Sequence, residues 1–209
     1  MKTIFITLIF LLANGFNVKA QDVKNNSAKE PKTNLEVTIN GKKMIVTEEE
    51  TFIVDSTLVK PSISIKLSAF KKFDISAISF DYPKHLSFEF EQDYGYKNWT
   101  LSGNSFTVMV FEMDAKTTLN SIMAEMIKKF GKKNTVIEDF EKELGGRKFD
   151  GKKLTVSLVG QKLEMECYEI LLDDYKSRFI YFQDLITDNQ NSDEYLQGLS
   201  KIRSSIKFN

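Results

Sequence analysis

From Leu35 onward apolar and polar side chains alternate, the mark of a strand with one buried face. Leu35, Val37 and Ile39 share a face, Asn40-Gly41 supplies a two-residue turn that tolerates positive φ, and Lys43 to Val46 returns. Phe52-Ile53-Val54 and Ser62 to Leu67, with Ile63, Ile65 and Leu67 on one face, continue as strands. Ile75 to Phe80 alternates until Tyr82-Pro83, where the missing proline donor interrupts a ladder. Leu86, Phe88 and Phe90 repeat the period, as do Phe106, Val108 and Val110 with Met109 and Phe111 on the opposite face. Asp114 to Gly131 breaks the rule. Leu119, Ile122, Met123, Met126, Ile127 and Phe130 fall at helical spacing, with Thr117 or Thr118 as cap and Gly131 as terminator. Val136 to Phe140 is a further strand, Leu154-Val156-Leu158 and Leu163-Met165-Cys167 form two runs joined at Gly160-Gln161, and Arg178 to Leu185 is another. A terminal helix starting near Asn191 or Ser192 carries Leu196, Leu199, Ile202 and Ile206.

The two ends of this pattern divide the chain. Met1 to Ala20 has a basic start, an apolar run of about ten residues and a small-residue exit, the layout of a secretory signal peptide and too short to span a bilayer comfortably. No cysteine stands near the cut to carry a lipid anchor, so no stable membrane insertion is expected after cleavage. Residues 21–34 are polar and aperiodic, as in a flexible leader. Residues 35–209 then form a single α+β domain: a mostly antiparallel sheet with two flanking helices, because short glycine-containing connections cannot carry parallel crossovers.

Composition removes most chemistries. Twenty-nine basic and 29 acidic residues give no electrostatic reason to expect a nucleic-acid partner. One cysteine cannot make an internal disulfide, and one histidine cannot build the usual zinc site, so neither a metal nor a cofactor is expected. Seventeen Phe and seven Tyr are far too many for a disordered chain.

Phe80-Asp81-Tyr82-Pro83, the Trp99 to Leu101 entry to a long apolar strand ending at Glu112, the Leu119 to Phe130 helix and the closing Ser204-Ser205-Ile206-Lys207-Phe208 together resemble the family of PsbP, Mog1 and DcrB-like secreted proteins. The resemblance covers residues 75–209, leaving 35–74 as an N-terminal β extension. It implies an α/β/α sandwich that binds other proteins and generally has no catalytic machinery.

Several side chains invite a chemical reading, each beside a plainer one. His85 is the one group with an ordinary pKa near neutrality, but no nucleophile motif accompanies it and it follows a Pro turn. Cys167 shares its face with Leu163 and Met165, so it reads as buried and inert. Glu164 and Glu166 stand two apart on the opposite face. They form either a carboxylate pair, with His85 completing a hydrolase, or a salt-bridge ladder with the neighbouring strand's Lys153, Thr155 and Ser157. Glu48-Glu49-Glu50, Asp55 and Asp173-Asp174 match no calcium loop, and Lys128, Lys129, Lys132 and Lys133 complement a helix C-terminus. The Met123 and Met126 stripe could line a pocket for a lipid or small hydrophobe, or fill a core. Tyr94, Tyr96 and Trp99, with Phe106, concentrate aromatics at a hairpin-like connection and are the expected partner contacts. The sequence therefore points to a secreted or periplasmic, non-catalytic binding or adaptor protein with a protein partner. A carrier or a carboxylate-dependent hydrolase are its rivals.

Overall fold

The computed structural model describes residues 29–54, 60–172 and 175–209. The expected signal segment, most of the leader, Asp55 and Asp173-Asp174 lie outside the described residues. Among the described residues twelve strands and two α-helices follow one another: β1 (Thr33–Ile39), β2 (Lys42–Thr47), β3 (Ile63–Ile75), β4 (Ile78–Pro83), β5 (Ser87–Asp93), β6 (Tyr96–Ser102), β7 (Phe106–Met113), α1 (Leu119–Phe130), β8 (Thr135–Leu144), β9 (Arg147–Leu158), β10 (Gln161–Ile170), β11 (Ser177–Ile186), α2 (Asp193–Ser205) and β12 (Lys207–Phe208). The strands make two antiparallel sheets. The larger has the order β5-β6-β7-β11-β10-β9-β8, the smaller β12-β4-β3-β1-β2.

This corrects the expectation of one sheet sandwiched by helices: the chain is mostly antiparallel β in two packed sheets, not an α/β/α sandwich. The extension does not precede a separate sheet, because β3 is thirteen residues long and pairs with β1 through its first half and with β4 through its second. Phe80-Asp81-Tyr82-Pro83 lies in the smaller sheet. Phe52 to Val54, expected as a strand, is an exposed coil.

The two faces of the large sheet are covered differently. On one, Met109, Leu154, Val156, Leu163, Met165, Cys167, Phe179 and Tyr181 pack under Leu119, Met123 and Met126 of α1. Thr118 caps that helix through Ser121 N, and Gly131 ends it at φ 83°. On the other, Leu101, Phe106, Val108, Val110, Ile180 and Phe182 meet α2 through Tyr195, Leu199 and Ile202, and meet the smaller sheet through Phe73, Ile78, Phe80 and Tyr82. Phe73 stacks on Phe80 at 4.8 Å between ring centroids, and Trp99 of the large sheet meets Phe73 edge-on at 6.5 Å. A helix and a sheet share this face because α2 alone is too narrow to cover seven strands.

The stripe of α2 is Tyr195, Gly198, Leu199 and Ile202, while Leu196, expected on it, is exposed. Glycine is required at 198 because a Cβ there would collide with the fully buried ring of Phe106. Gly198→Ala should therefore lower the melting temperature. The clash costs about 1–3 kcal/mol, against a helix-propensity gain of about 1 kcal/mol. Thermal unfolding checks it, and a higher melting temperature would mean that Phe106 yields.

Candidate functional site

Antiparallel connectivity gathers specific loops at each end of the large sheet. Tyr96 and Ser177 both lie opposite Met113, and Arg178 lies opposite Ile170, so the β5–β6 turn, the segment 114–118 and the β10–β11 connection share one end. Asp114 N donates to Gly95 O at 2.9 Å and Thr117 N donates to Ser177 Oγ at 2.9 Å, which ties these loops together. The two aromatic loops are two strand spacings apart, about 10 Å.

Exposure at this end is concentrated in a few large side chains. Tyr94 is 93% exposed in the β5–β6 turn and Tyr175 97% exposed in the β10–β11 connection, with Leu171 also open to solvent. The expected aromatic trio is split by the pleat. Tyr96 is half-buried, its hydroxyl donating to Glu91 Oε1 at 2.8 Å, and burial with that bond raises its pKa. Trp99 is 4% exposed and packs on Phe90 and Phe73, and Phe106 is wholly buried against Tyr195. Tyr175 and Leu171 were not singled out from the sequence. Their signal is modest: large apolar side chains flanking Asp173-Asp174, a run too polar for a strand.

Beside Leu171 lies an open cleft of about 740 Å³ between the first turn of α1 and the β8–β9 hairpin. Its apolar floor includes Phe140, which lies over Gly151, where a Cβ would come within 2.5 Å of the ring. Its rim carries Asp139, Glu141, Asp150 and Glu169 against Lys148 and Lys152, so acid predominates. Lys148 pairs with Glu141 at 2.9 Å, Lys152 pairs with Asp139, and Glu169 Oε2 accepts from Leu119 N at 3.1 Å at the start of α1. The cleft does not open on Met123 or Met126, which are buried against the sheet.

The residues proposed for hydrolysis are held in three separate polar groups. His85 Nε2 lies 2.9 Å from Glu194 Oε1, at the opposite end of the sheet, where Glu194 Oε2 also accepts from Ser105 N and Phe106 N. Glu164 pairs with Lys153 at 2.8 Å and Lys162 at 2.9 Å, a ladder across and along the strand. Glu166 is buried and accepts from Lys142 Nζ at 2.5 Å, Tyr168 at 2.7 Å, Tyr195 at 3.2 Å and Arg203 at 2.6 Å, linking β8, β10 and α2. Burial alone would raise its pKa, but the hydrogen bonds from Lys142 and Tyr168 and the charges of Arg203 and Lys142 outweigh it and hold the carboxyl below its ordinary range. Cys167 is fully buried, which pushes its thiol pKa well up and leaves it protonated. Among the described residues no cluster of three or more His, Cys, Asp or Glu is arranged to hold a metal ion.

No family model matches the chain, so the resemblance to PsbP and Mog1 proteins rests on the residues quoted for it. No curated protein matches it either. Among solved structures, LpqN of Mycobacterium tuberculosis, a protein involved in cell envelope biogenesis, is similar over 62% of this chain and 82% of its own, at 10% identity and a TM-score of 0.39. A protein of unknown function from Pseudomonas aeruginosa, PA94, described as a possible regulator, aligns over 56% of this chain and 83% of its own at 10% identity and a TM-score of 0.28. Likeness at this level assigns no activity.

Because Glu166 has a lowered folded pKa, its contribution is complete above the ordinary carboxylate range and fades as pH falls through the folded value. Glu166→Gln should lose about 1–3 kcal/mol at neutral pH. The deficit should shrink on acidification, as read by urea unfolding across pH. A pH-independent deficit would assign the loss to packing.

Proposed function

We propose that this is an exported, non-catalytic binding protein that takes a protein partner at the loop end of its large sheet. Tyr94, Tyr175 and Leu171 serve as anchors there, and the acidic cleft beside Leu171 receives basic side chains of the partner. The observation that carries the reading is the exposure of Tyr94 and Tyr175, two large aromatic side chains on loops tied to one rigid sheet end. Aromatic side chains of this kind desolvate much area for little lost rotamer freedom, which is why they dominate binding energetics. Trp99 and Tyr96 support the site from below: Trp99 packs under the β5–β6 pair and Tyr96 braces it through Glu91. Export rests on the basic start, apolar run and small-residue exit of Met1 to Ala20. No helix among the described residues is long and apolar enough to cross a membrane.

A non-catalytic reading is favoured because each ionisable side chain proposed for chemistry is committed to structural partners. Carriage of a small hydrophobe is not favoured by the cleft, whose rim is charged.

Capture of the native partner from an envelope extract, with mature protein as bait, tests the reading. Each of Tyr94→Ser and Tyr175→Ser should weaken binding by about 2 kcal/mol, roughly thirtyfold. Melting temperature should not change, because both side chains stand in solvent. Undiminished capture by the double variant would overturn the site.

A further inference from the structure

The edges of the two sheets are not protected equally. Natural sheets guard edges with charge, because free backbone groups invite a further strand. β8 carries Glu138, Asp139, Glu141, Lys142 and Glu143, β5 carries Glu89, Glu91 and Asp93, and β2 opens with Lys42-Lys43. The first half of β3 is different. It pairs with β1 on one side, and β4 joins its other side only from Phe70. All five residues from Ile63 to Leu67 are exposed, with Ile63, Ile65 and Leu67 at 56%, 63% and 60%, and Lys66 is the one charge among them.

The backbone phase of this segment is fixed at both ends. Asn40 N donates to Ser62 O at 2.9 Å, and Lys84 N donates to Ala69 O at 3.0 Å on the opposite side. Even-numbered residues therefore bond β1, and the N–H and C=O groups of Ile63, Ile65 and Leu67 point outward. Their side chains continue the apolar row of Leu35, Val37 and Ile39, to which they are directly opposite.

We infer that this edge pairs with the same edge of a second copy of the chain, antiparallel about a twofold axis midway between the two Ile65 residues. The segment is complementary to itself in that register. Ile65 faces Ile65, Ile63 faces Leu67, and Ser64 faces Lys66, so the outward groups of three residues on each copy form six hydrogen bonds with no like charges opposed. Centring on Lys66 would oppose two ammonium groups, and centring on Ser64 would bring Pro61, which has no donor, into the pairing. The product joins the two smaller sheets edge to edge. It leaves the Tyr94 and Tyr175 end of each copy free, so it is independent of the partner site.

Single-cysteine substitutions read the register directly, because Cys167 is buried and unreactive. A directly opposed hydrogen-bonded pair has Cα atoms about 5.5 Å apart, within disulfide range. Ile65→Cys should give a covalent dimer under mild oxidation, and Ser64→Cys and Lys66→Cys should not. Sedimentation of the unmodified protein should show a concentration-dependent dimer that Ile65→Lys abolishes with unchanged circular dichroism. A protein that stays monomeric to millimolar concentration overturns the inference, as does crosslinking at position 64 or 66 in place of 65.

Discussion

Aromatic packing across the two sheets is the constraint on which the rest of the molecule depends. Phe73 and Phe80, stacked on each other in the smaller sheet, meet Trp99 of the larger one, and Trp99 in turn packs against Phe90 on the edge strand. Burying such rings contributes about 1.5–3 kcal/mol each beyond leaving them exposed. The contact also fixes where the smaller sheet sits, and so which part of the large sheet remains for α2. Tyr195 then meets Phe106 edge-on, and Gly198 clears the space for that ring.

Buried charge finishes what aromatic packing begins. Glu112 and Arg178, directly opposite on β7 and β11, pair at 3.2 Å, and both bond Ser76 in the β3–β4 turn. That turn is thereby stapled to the loop end of the large sheet. Lys176, one residue after Tyr175, also pairs with Glu112 at 2.6 Å. Burial would raise the Glu112 pKa, but hydrogen bonds from Lys176 and Ser76 and the charges of Lys176 and Arg178 hold it below its ordinary range. Glu166 does the same for α2, and Asp184 caps that helix through Ser192. Such pairs add less net stability than their number suggests, since each charge must first lose its water. Their geometry, however, sets where the loops stand.

How much of this was legible in the sequence follows from what periodicity encodes. Helical spacing placed α1 within 114–131 with Gly131 as its terminator and left its cap between Thr117 and Thr118, of which the structure uses Thr118; alternation located β1, β7, β10, β11 and the last part of β9, and the buried face of Cys167. The cross-strand lysine at Glu164 was legible too, since strand pairing follows from the tight Gly160 turn. Alternation says which face of a strand is buried, not which strand lies beside it. The division into two sheets was hidden in the thirteen-residue β3, whose polar stretch around Lys71-Lys72 reads as a break while its backbone continues unbroken. The aromatic cluster at 94–99 was visible as composition. Which of its members face solvent depends on the β5–β6 turn, and the neighbouring Tyr175, 81 residues beyond Tyr94 in sequence, comes from a loop that only the antiparallel order brings alongside.

The chain has one tryptophan, and it sits at the junction of the sheets. Urea unfolding followed by Trp99 emission, alongside hydrogen exchange at the β4 and β11 amides, therefore tests the shared core most directly. One core predicts a single midpoint for all three signals. Loss of Trp99 emission and β4 protection at lower urea, with β11 still protected, would contradict the account by showing that the smaller sheet is only loosely attached.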